Sequence, residues 1–465
     1  MTIDLLPSRF EPHPPNRKFN PSEASTVTDI QENSGSARAD RSPKNRMRIL
    51  FLTQVLPYPL DAGPKIRAYY VLRHLVESGH DVTLVSFVRA EDGPEHLSHL
   101  SRLCTAVHTV RMQRSTARDA AMLLSALVLG KPFLIVRDRV PAMLEKVRSV
   151  VRTSAPFDAI HADQLWMAPY ALFARDQAVR PTPPLVVLDQ HNAVFQIPER
   201  LAESERNVVK RRLLRMEARK LSRFEREVCE RIDRVVWVTA EDQEALNRTQ
   251  GRGHGSDRSD PVIPIALEAS RTPAAESSSR SIDPYRITFM GGLHWPPNLQ
   301  GVRWFADEIW PRVRAQLPDA ILTVIGKNPT PELFADDASI ELTGYLTDPT
   351  SYLEETAVFI VPLLAGGGMR VKILEAWARR LPVVSTAVGA EGIDVRHLSN
   401  LYLADDPVDF AAGVIELTRT PELAARLVRG GQETLGSTYD WRKAYVAWNH
   451  IYPCRSSISS PTLPA

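Results

Sequence analysis

Short apolar runs recur along the chain, separated by longer stretches whose apolar residues fall at helical spacing. The first run, Arg48-Ile49-Leu50-Phe51-Leu52-Thr53, reads as a strand buried on both faces. A Pro/Gly loop, LPYPLDAGP, follows it, then a predicted helix over 65–78 closed by Gly79, then a predicted strand over 81–87. Two parallel strands joined by a helix need such a crossover, and it winds right-handed. The alternation continues with expected strands at 107–111, 159–161, 185–188 and 234–238, and expected helices at 117–129, 143–152, 165–174 and 203–232. A break rich in Gly, Ser, Arg and Pro follows, and then the pattern restarts. Strands are expected at 286–290, 320–325, 340–342, 358–361, 383–384 and 401–402, with helices at 301–316, 349–355, 370–379, 407–418 and 421–436. The pattern predicts an α/β protein with two Rossmann-like, doubly wound domains facing each other across a cleft.

The expected division is a disordered leader over 1–46, an N-terminal domain over 47–265, a linker over 266–284 and a C-terminal domain over 285–437. A last helix over 438–455 carries Trp441, Tyr445 and Trp448 on one face, which predicts a packing stripe laid back on the N-terminal domain. Residues 456–465 read as a loose tail. The chain has 465 residues, enough for two to three domains, and its 43% hydrophobic and 24% charged content is ordinary for a globular protein. A net charge of +2 argues against a nucleic-acid binder. Cys104, Cys229 and Cys454 are widely spaced with no CxxC pattern, which predicts a reducing compartment. No signal peptide is expected, and no apolar run approaches the roughly 18 residues of a spanning helix. The expected location is cytoplasmic, at the inner face of the membrane.

The richest chemistry lies in GGGMRVKILEAWARRLPVVSTAVGAEG, from Gly366 to Gly392. A glycine turn runs into a helix whose first turn holds Arg370 and Lys372, where a helix would normally favour Asp or Glu. Free N–H groups, the helix dipole and two added cations predict a bound phosphate or diphosphate. Glu375 follows one turn later and is placed to accept hydrogen bonds from a sugar diol. The plainer alternative is a cationic helix end facing solvent. Gly63, after the first strand, and Gly291 and Gly292, after the first strand of the second domain, allow close approach of backbone to a ligand, or are simple turn residues. Glu391, in the second glycine turn, is a candidate donor contact or a turn stabiliser. Asp189-Gln190-His191-Asn192 ends another strand, so His191 is a candidate acceptor or sugar contact. The basic stretch VVKRRLLRMEARK has an apolar face; it reads as a solvated amphipathic helix, with contact to anionic lipid as the sharper alternative.

These segments resemble glycosyltransferase family 4, the group 1 glycosyltransferases. The sharpest part is GGGMRVKILEAWARRLPVVSTAVGAEGID, supported by FMGGLHWPPNLQGVRWFADEIWP, LTGYLTD, LDQHN and STYDW. The resemblance implies the GT-B fold and retaining transfer of a sugar from a nucleotide-activated donor, with no metal and no cofactor beyond a nucleoside diphosphate sugar as co-substrate. It implies that Gly63, Gly291, Gly292, Gly367, Gly368, Arg370, Lys372 and Glu375 bind the donor, with Glu391 remaining a candidate donor contact or turn stabiliser. His161 or Asp163 would lie near the reacting carbon, although Asp163 also suits a helix cap. The acceptor would be a saccharide or lipid-linked sugar in surface polysaccharide or glycolipid assembly. Two departures stand out. The family's Glu-x7-Glu keeps only its second carboxylate, Glu375, with Gly367 at the first position. The Arg and Lys that many members carry after the first strand of the second domain are missing from GGLHWPPN, and Arg370 and Lys372 are the substitutes. A nucleotide-sugar epimerase of the same fold and a non-catalytic nucleotide-sugar binding protein are the alternatives.

Overall fold

The computed structural model describes residues 46–112, 115–249, 260–269, 282–327, 333–334 and 336–453. The expected leader up to residue 45, segments 250–259 and 270–281 of the expected break, and the tail with Cys454 lie outside the described residues.

Six parallel strands form the N-terminal sheet: β1 (Arg48–Thr53), β2 (Asp81–Val88), β3 (Ala106–Arg111), β4 (Ala159–Asp163), β5 (Leu185–Gln190) and β6 (Arg234–Trp237), in the order β3-β2-β1-β4-β5-β6. Six more form the C-terminal sheet: β7 (Asp283–Met290), β8 (Ile321–Ile325), β9 (Ile340–Gly344), β10 (Thr356–Val361), β11 (Val383–Ser385) and β12 (Tyr402–Leu403), in the order β12-β11-β10-β7-β8-β9. Helices cover the sheets, so the central strands are apolar on both faces; in β1 every residue from Ile49 to Thr53 is buried. The strand order reverses between β1 and β4 in one sheet and between β7 and β10 in the other. Crevices outside the carboxyl ends of strands at such reversals are where open α/β sheets take ligands. The loops after β1, β4, β7 and β10 carry Gly63, the end of Asp163, Gly291-Gly292 and Gly366–Gly368 to these positions.

Some elements differ from the sequence pattern for local reasons. The helix expected over 203–232 is two, Gln196–Ser204 and Val208–Arg231; Asn207 caps the second by accepting from the Val209 and Lys210 N–H groups. The helix expected over 301–316 starts at Pro296 and widens into a π-helical turn at Phe305–Ile309. Pro311, with no N–H to donate, lies just beyond that widening. Helices Pro94–Leu103 and Phe133–Arg137 escape a periodicity reading because they are short and polar, or shorter than two turns.

The end of the described chain crosses back onto the N-terminal unit. Leu267 N–H donates to Tyr439 O at 3.0 Å and Trp441 N–H to Leu267 O at 3.1 Å, pairing the two crossings. Residues Trp441–Ala444 form one helical turn and Tyr445–His450 a 3-10 helix. Trp441, Tyr445, Trp448 and Tyr452 are all buried, and Trp441 packs on Tyr70 with ring centroids 5.5 Å apart.

Candidate functional site

The loop after β10 turns through two glycines in the left-handed region, Gly366 with φ 140° and Gly368 with φ 72°. A Cβ on Gly366 would overlap the Arg370 guanidinium, and one on Gly368 would lie 2.8 Å from the His191 carbonyl oxygen. The loop therefore folds under its own arginine and presses on the turn after β5. Arg370 sits at the N-cap of the helix Val371–Ala378 and is buried. Its Nη1 donates to Gly367 O at 2.6 Å and Gly368 O at 2.5 Å, while Nη2 is buried with no partner among the described residues. Burial pushes the guanidinium down to about 10, with Arg200 adding to the drop and Glu391 and Asp242 opposing it.

Lys372, half-buried, crosses to the other strand of the reversal. Its Nζ donates to Asn298 Oδ1 at 3.0 Å and lies 4.4 Å from the centre of the Phe289 ring. A Cβ on Gly291 would come within 2.9 Å of that nitrogen, so Gly291 leaves the space the ammonium fills. Burial pushes Lys372 down to about 7; Arg370 lowers it further and Glu375 opposes. Glu375 stands one turn further along the same helix, half-buried.

Across the crevice, Gly63 starts the helix Gly63–Glu77, and a Cβ there would lie 3.1 Å from Val371 Cγ2. Two helix starts, one from each unit, abut at that contact. Neither has an acidic residue in its first turn or a side-chain cap. Their positive dipole ends share one region of space, which favours an anion there.

Glu391 is engaged otherwise than expected. Arg200, from the helix Gln196–Ser204, donates to both of its oxygens, at 2.5 and 2.7 Å, and also to the Gly366 carbonyl. The carboxylate that was a candidate donor contact thus closes a two-pronged ion pair between the units.

His161 and Asp163 lie in a buried polar cluster beneath the crevice. His161 is fully buried and stacks on Phe51 with centroids 4.1 Å apart; its Nδ1 is 2.9 Å from the Tyr452 hydroxyl. Burial pushes its imidazole down to about 3, so it is neutral. That places it in the core rather than at a reacting carbon. Asp163 is also fully buried and bonds His191 Nε2 at 2.9 Å, and it caps no helix. Burial raises the Asp163 carboxyl, and His191 draws it back. Burial works against a charge on His191, yet Asp163 and Asp189 raise it to about 9. Asp189 is held well below the usual carboxylate range, against burial, by Arg67, which grips it through Nε at 2.9 Å and Nη2 at 3.0 Å. Arg67 also donates to Pro264 O at 2.7 Å and lies over the rings of Tyr445 and Trp448. His161, Asp163 and Asp189 place three ligand atoms within 4.8 Å of one another, but Arg67 and His191 already supply the countercharge a cation would bring.

The sequence reading missed Asn298, Arg200, Arg67 and Glu225. Glu225 belongs to the basic helix, at the 221–225–228 spacing of its buried stripe. It accepts from Val194 N at 2.6 Å, Phe195 N at 3.3 Å and Gln190 Nε2 at 3.0 Å, and so fixes the turn that presents His191 and Asn192 to the glycine loop. An acid on the apolar face of a predominantly cationic helix was the available signal.

Comparison with known proteins bears on the family and the fold. Residues 284–420 match the glycosyl transferases group 1 family, and residues 62–255 match the glycosyl transferase 4-like domain. The chain is similar to an uncharacterized protein of the cps region of Klebsiella pneumoniae, 22% identical over 418 residues that cover 86% of this chain and 98% of that one. Among solved structures it is similar to sucrose-phosphate synthase from Thermosynechococcus elongatus, with a TM-score of 0.62, 16% identity and coverage of 87% and 98%. It is also similar to Anabaena HepE in complex with UDP-glucose, with a TM-score of 0.59, 15% identity and coverage of 87% and 99%. With two glycosyl transferase domains that together take in most of its length, on two facing six-stranded parallel sheets, this chain belongs to the group 1 glycosyltransferases of GT-B architecture.

Proposed function

We propose that the protein is a retaining, metal-independent glycosyltransferase of family 4 that moves a hexose-type sugar from a nucleoside diphosphate sugar to a saccharide or lipid-linked acceptor. One observation carries this reading: two acid-free helix starts, the glycine loop and the Lys372 ammonium converge where the C-terminal strand order reverses. That is a fixed positive field for a diphosphate. As the bond from the anomeric carbon to the diphosphate breaks, negative charge grows on the leaving oxygen, and the field stabilises it without reorganising. These groups supply the positive charge a metal would otherwise bring. The acceptor hydroxyl attacks on the face the diphosphate leaves, and its proton passes to a departing phosphate oxygen. At Gly367 a Cβ would meet nothing closer than 3.8 Å, so there is room beside this backbone for a sugar hydroxyl, which the Gly367 or Gly368 N–H would bond where the family's first glutamate is missing. Glu375 takes the donor ribose. His191 acts from the N-terminal side, held charged by Asp163, on the sugar or acceptor. The UDP-glucose complex of the similar HepE supports the donor class. The similarity to a cps-region protein supports surface polysaccharide or glycolipid assembly.

A thermal-shift screen against UDP-, GDP-, ADP- and dTDP-sugars tests the donor site. Ligand at a hundred times its Kd stabilises a folded protein by about 2.7 kcal/mol. One nucleotide sugar should raise Tm in the wild type and lose most of that effect in Glu375→Ala; a shift unchanged in Glu375→Ala removes the ribose assignment. Incubating the same sugar without acceptor separates the chemistries, since an epimer formed from donor alone would replace transfer with epimerisation.

The proposed location is the cytoplasmic face of a membrane. No helix among the described residues is long and apolar enough to cross one. The basic helix Val208–Arg231 is tied to the helix Thr116–Val128 by Lys220 Nζ donating to Ala126 O at 3.3 Å. Leu124, Val128, Leu129, Val208 and Val209 are exposed on and beside these two elements, with Val128 86% exposed. Apolar tips beside cations suit the headgroup region of an anionic bilayer. The protein should co-sediment with vesicles containing phosphatidylglycerol in about 0.1 M salt, where screening still leaves surface attraction. Val128→Glu/Val209→Glu should abolish most of that binding. Equal binding to neutral vesicles would count against the charge argument.

A further inference from the structure

We propose that Asn298 is a positioning residue for the donor diphosphate, holding the Lys372 ammonium in place between the Phe289 ring and the end of β7 without cancelling its charge. This rests on the donor-site reading above. Asn298 is buried at the start of the helix Pro296–Trp304. Its Oδ1 accepts from Lys372 Nζ at 3.0 Å and its Nδ2 donates to Gly292 O at 2.9 Å. The amide has one orientation: an ammonium only donates and a carbonyl only accepts, so exchanging Oδ1 and Nδ2 would break both bonds. A single side chain therefore joins the loop after β7 to the helix after β10, across 74 residues of sequence.

The partner's neutrality matters as much as its place. An aspartate of the same shape would form an ion pair with Lys372 and present the incoming phosphate with a net-neutral pair in place of a full positive charge. Asparagine satisfies one of the three ammonium donors and leaves the charge whole. Phe289, on the other side, offers a ring face at 4.4 Å rather than a carboxylate. Among the described residues, the charged groups that act on Lys372 come from its own helix, Arg370 and Glu375, while the end of β7 offers the Phe289 ring and the helix after it the neutral Asn298. Gly291 completes the pocket, because a Cβ there would lie 2.9 Å from both Lys372 Nζ and Asn298 Nδ2. In such a setting burial pushes the lysine down to about 7. A diphosphate restores its proton, so binding takes one up, and affinity falls as pH rises above that value.

Calorimetric titration with UDP and with GDP, from about pH 7.5 to 9.5, tests this; the range lies above the second ionisation of a phosphate, near about 6. Wild-type affinity for the nucleotide that binds should fall about tenfold per pH unit in the lower part of the range, with uptake of close to one proton shown by comparing two buffers of different ionisation heat. Asn298→Asp keeps the shape and should bind about tenfold or more weakly at the lowest pH, with the pH-dependent fall displaced upward by about a unit or more. Asn298→Ala removes an acceptor that favours the charged form and should move the fall the other way, to lower pH. A merely structural asparagine would lower stability and leave the pH profile in place. Wild-type binding with an unchanged profile in both variants overturns the role of Asn298 alone. Failure of the wild type to bind either nucleotide overturns the donor-site reading and this inference with it.

Discussion

Replacing Lys372 with alanine is expected to lower turnover with the nucleotide sugar by about 10²–10³-fold, the scale of losing one fixed donor to a developing oxyanion. The loss should fall mainly on kcat, since the ammonium matters most when the diphosphate becomes a free anion. Lys372→Arg should rescue little. The space around Nζ is bounded by Phe289, Asn298 and the bare Cα of Gly291, and a planar guanidinium is bulkier than the ammonium it replaces. Steady-state kinetics of the three proteins decide the point. A Lys372→Ala enzyme retaining more than a tenth of wild-type kcat would show that the diphosphate leaves from somewhere else. Arg370 differs in kind: its guanidinium holds the carbonyls of Gly367 and Gly368, so its loss should loosen the loop as well as weaken the field.

Arg67→Leu is expected to destabilise the fold by about 3–5 kcal/mol, as breaking one side of a buried ion pair does. Asp189 would remain buried, with only His191, at 3.7 Å, as a nearby cation. Urea unfolding measures the loss. Arg67→Leu/Asp189→Leu should recover part of it, because removing both charges together costs less than stranding one. The pH signs follow from the same cluster. Asp189 has its folded pKa depressed, so its contribution is present above the unfolded carboxylate value of about 3.9 and lost as pH falls below it. His191 has its folded pKa raised to about 9, so its contribution is complete below the unfolded value of about 6.5 and lost as pH rises through about 9. The stability difference between wild type and His191→Gln should shrink as pH rises from about 7 to 9.5, a comparison that cancels the opposite contribution of Lys372, whose depressed value makes stability rise with pH there; a difference that does not shrink would contradict the charge assigned to His191.

The strands were legible because both faces of each sheet are covered, which turns each central strand into an uninterrupted apolar run such as Ile49–Leu52. Helix boundaries were less legible where a single residue decides them, as Asn207 does at the head of the basic helix. In the site, the glycine loop, Arg370, Lys372 and Gly291 could be read because cations at a helix start violate local preference. Asn298 left no trace, since a polar residue inside a Pro-rich turn has no periodic signature. Arg67 carries no local signal within the helix expected over 65–78; only the tertiary fold brings Asp189, Tyr445 and Trp448 around it. His161 misled for the opposite reason. A polar residue on a strand suggests a site, but this one is covered by Phe51 on one side and Tyr452 on the other.

The return of residues 441–452 to the first unit has a consequence for biosynthesis. His161 meets Tyr452 across 291 positions of sequence, and His74 meets Asn449 across 375. A ribosome delivers the N-terminal sheet long before it delivers the aromatic lid over Arg67 and His161. Until that lid emerges, Arg67 and His161 lack the aromatic cover they have in the finished fold, so the N-terminal unit reaches its final packing only when the end of the chain arrives. Contacts of such long sequence separation slow the closing of the fold, because the entropy of loop closure is spent before they form.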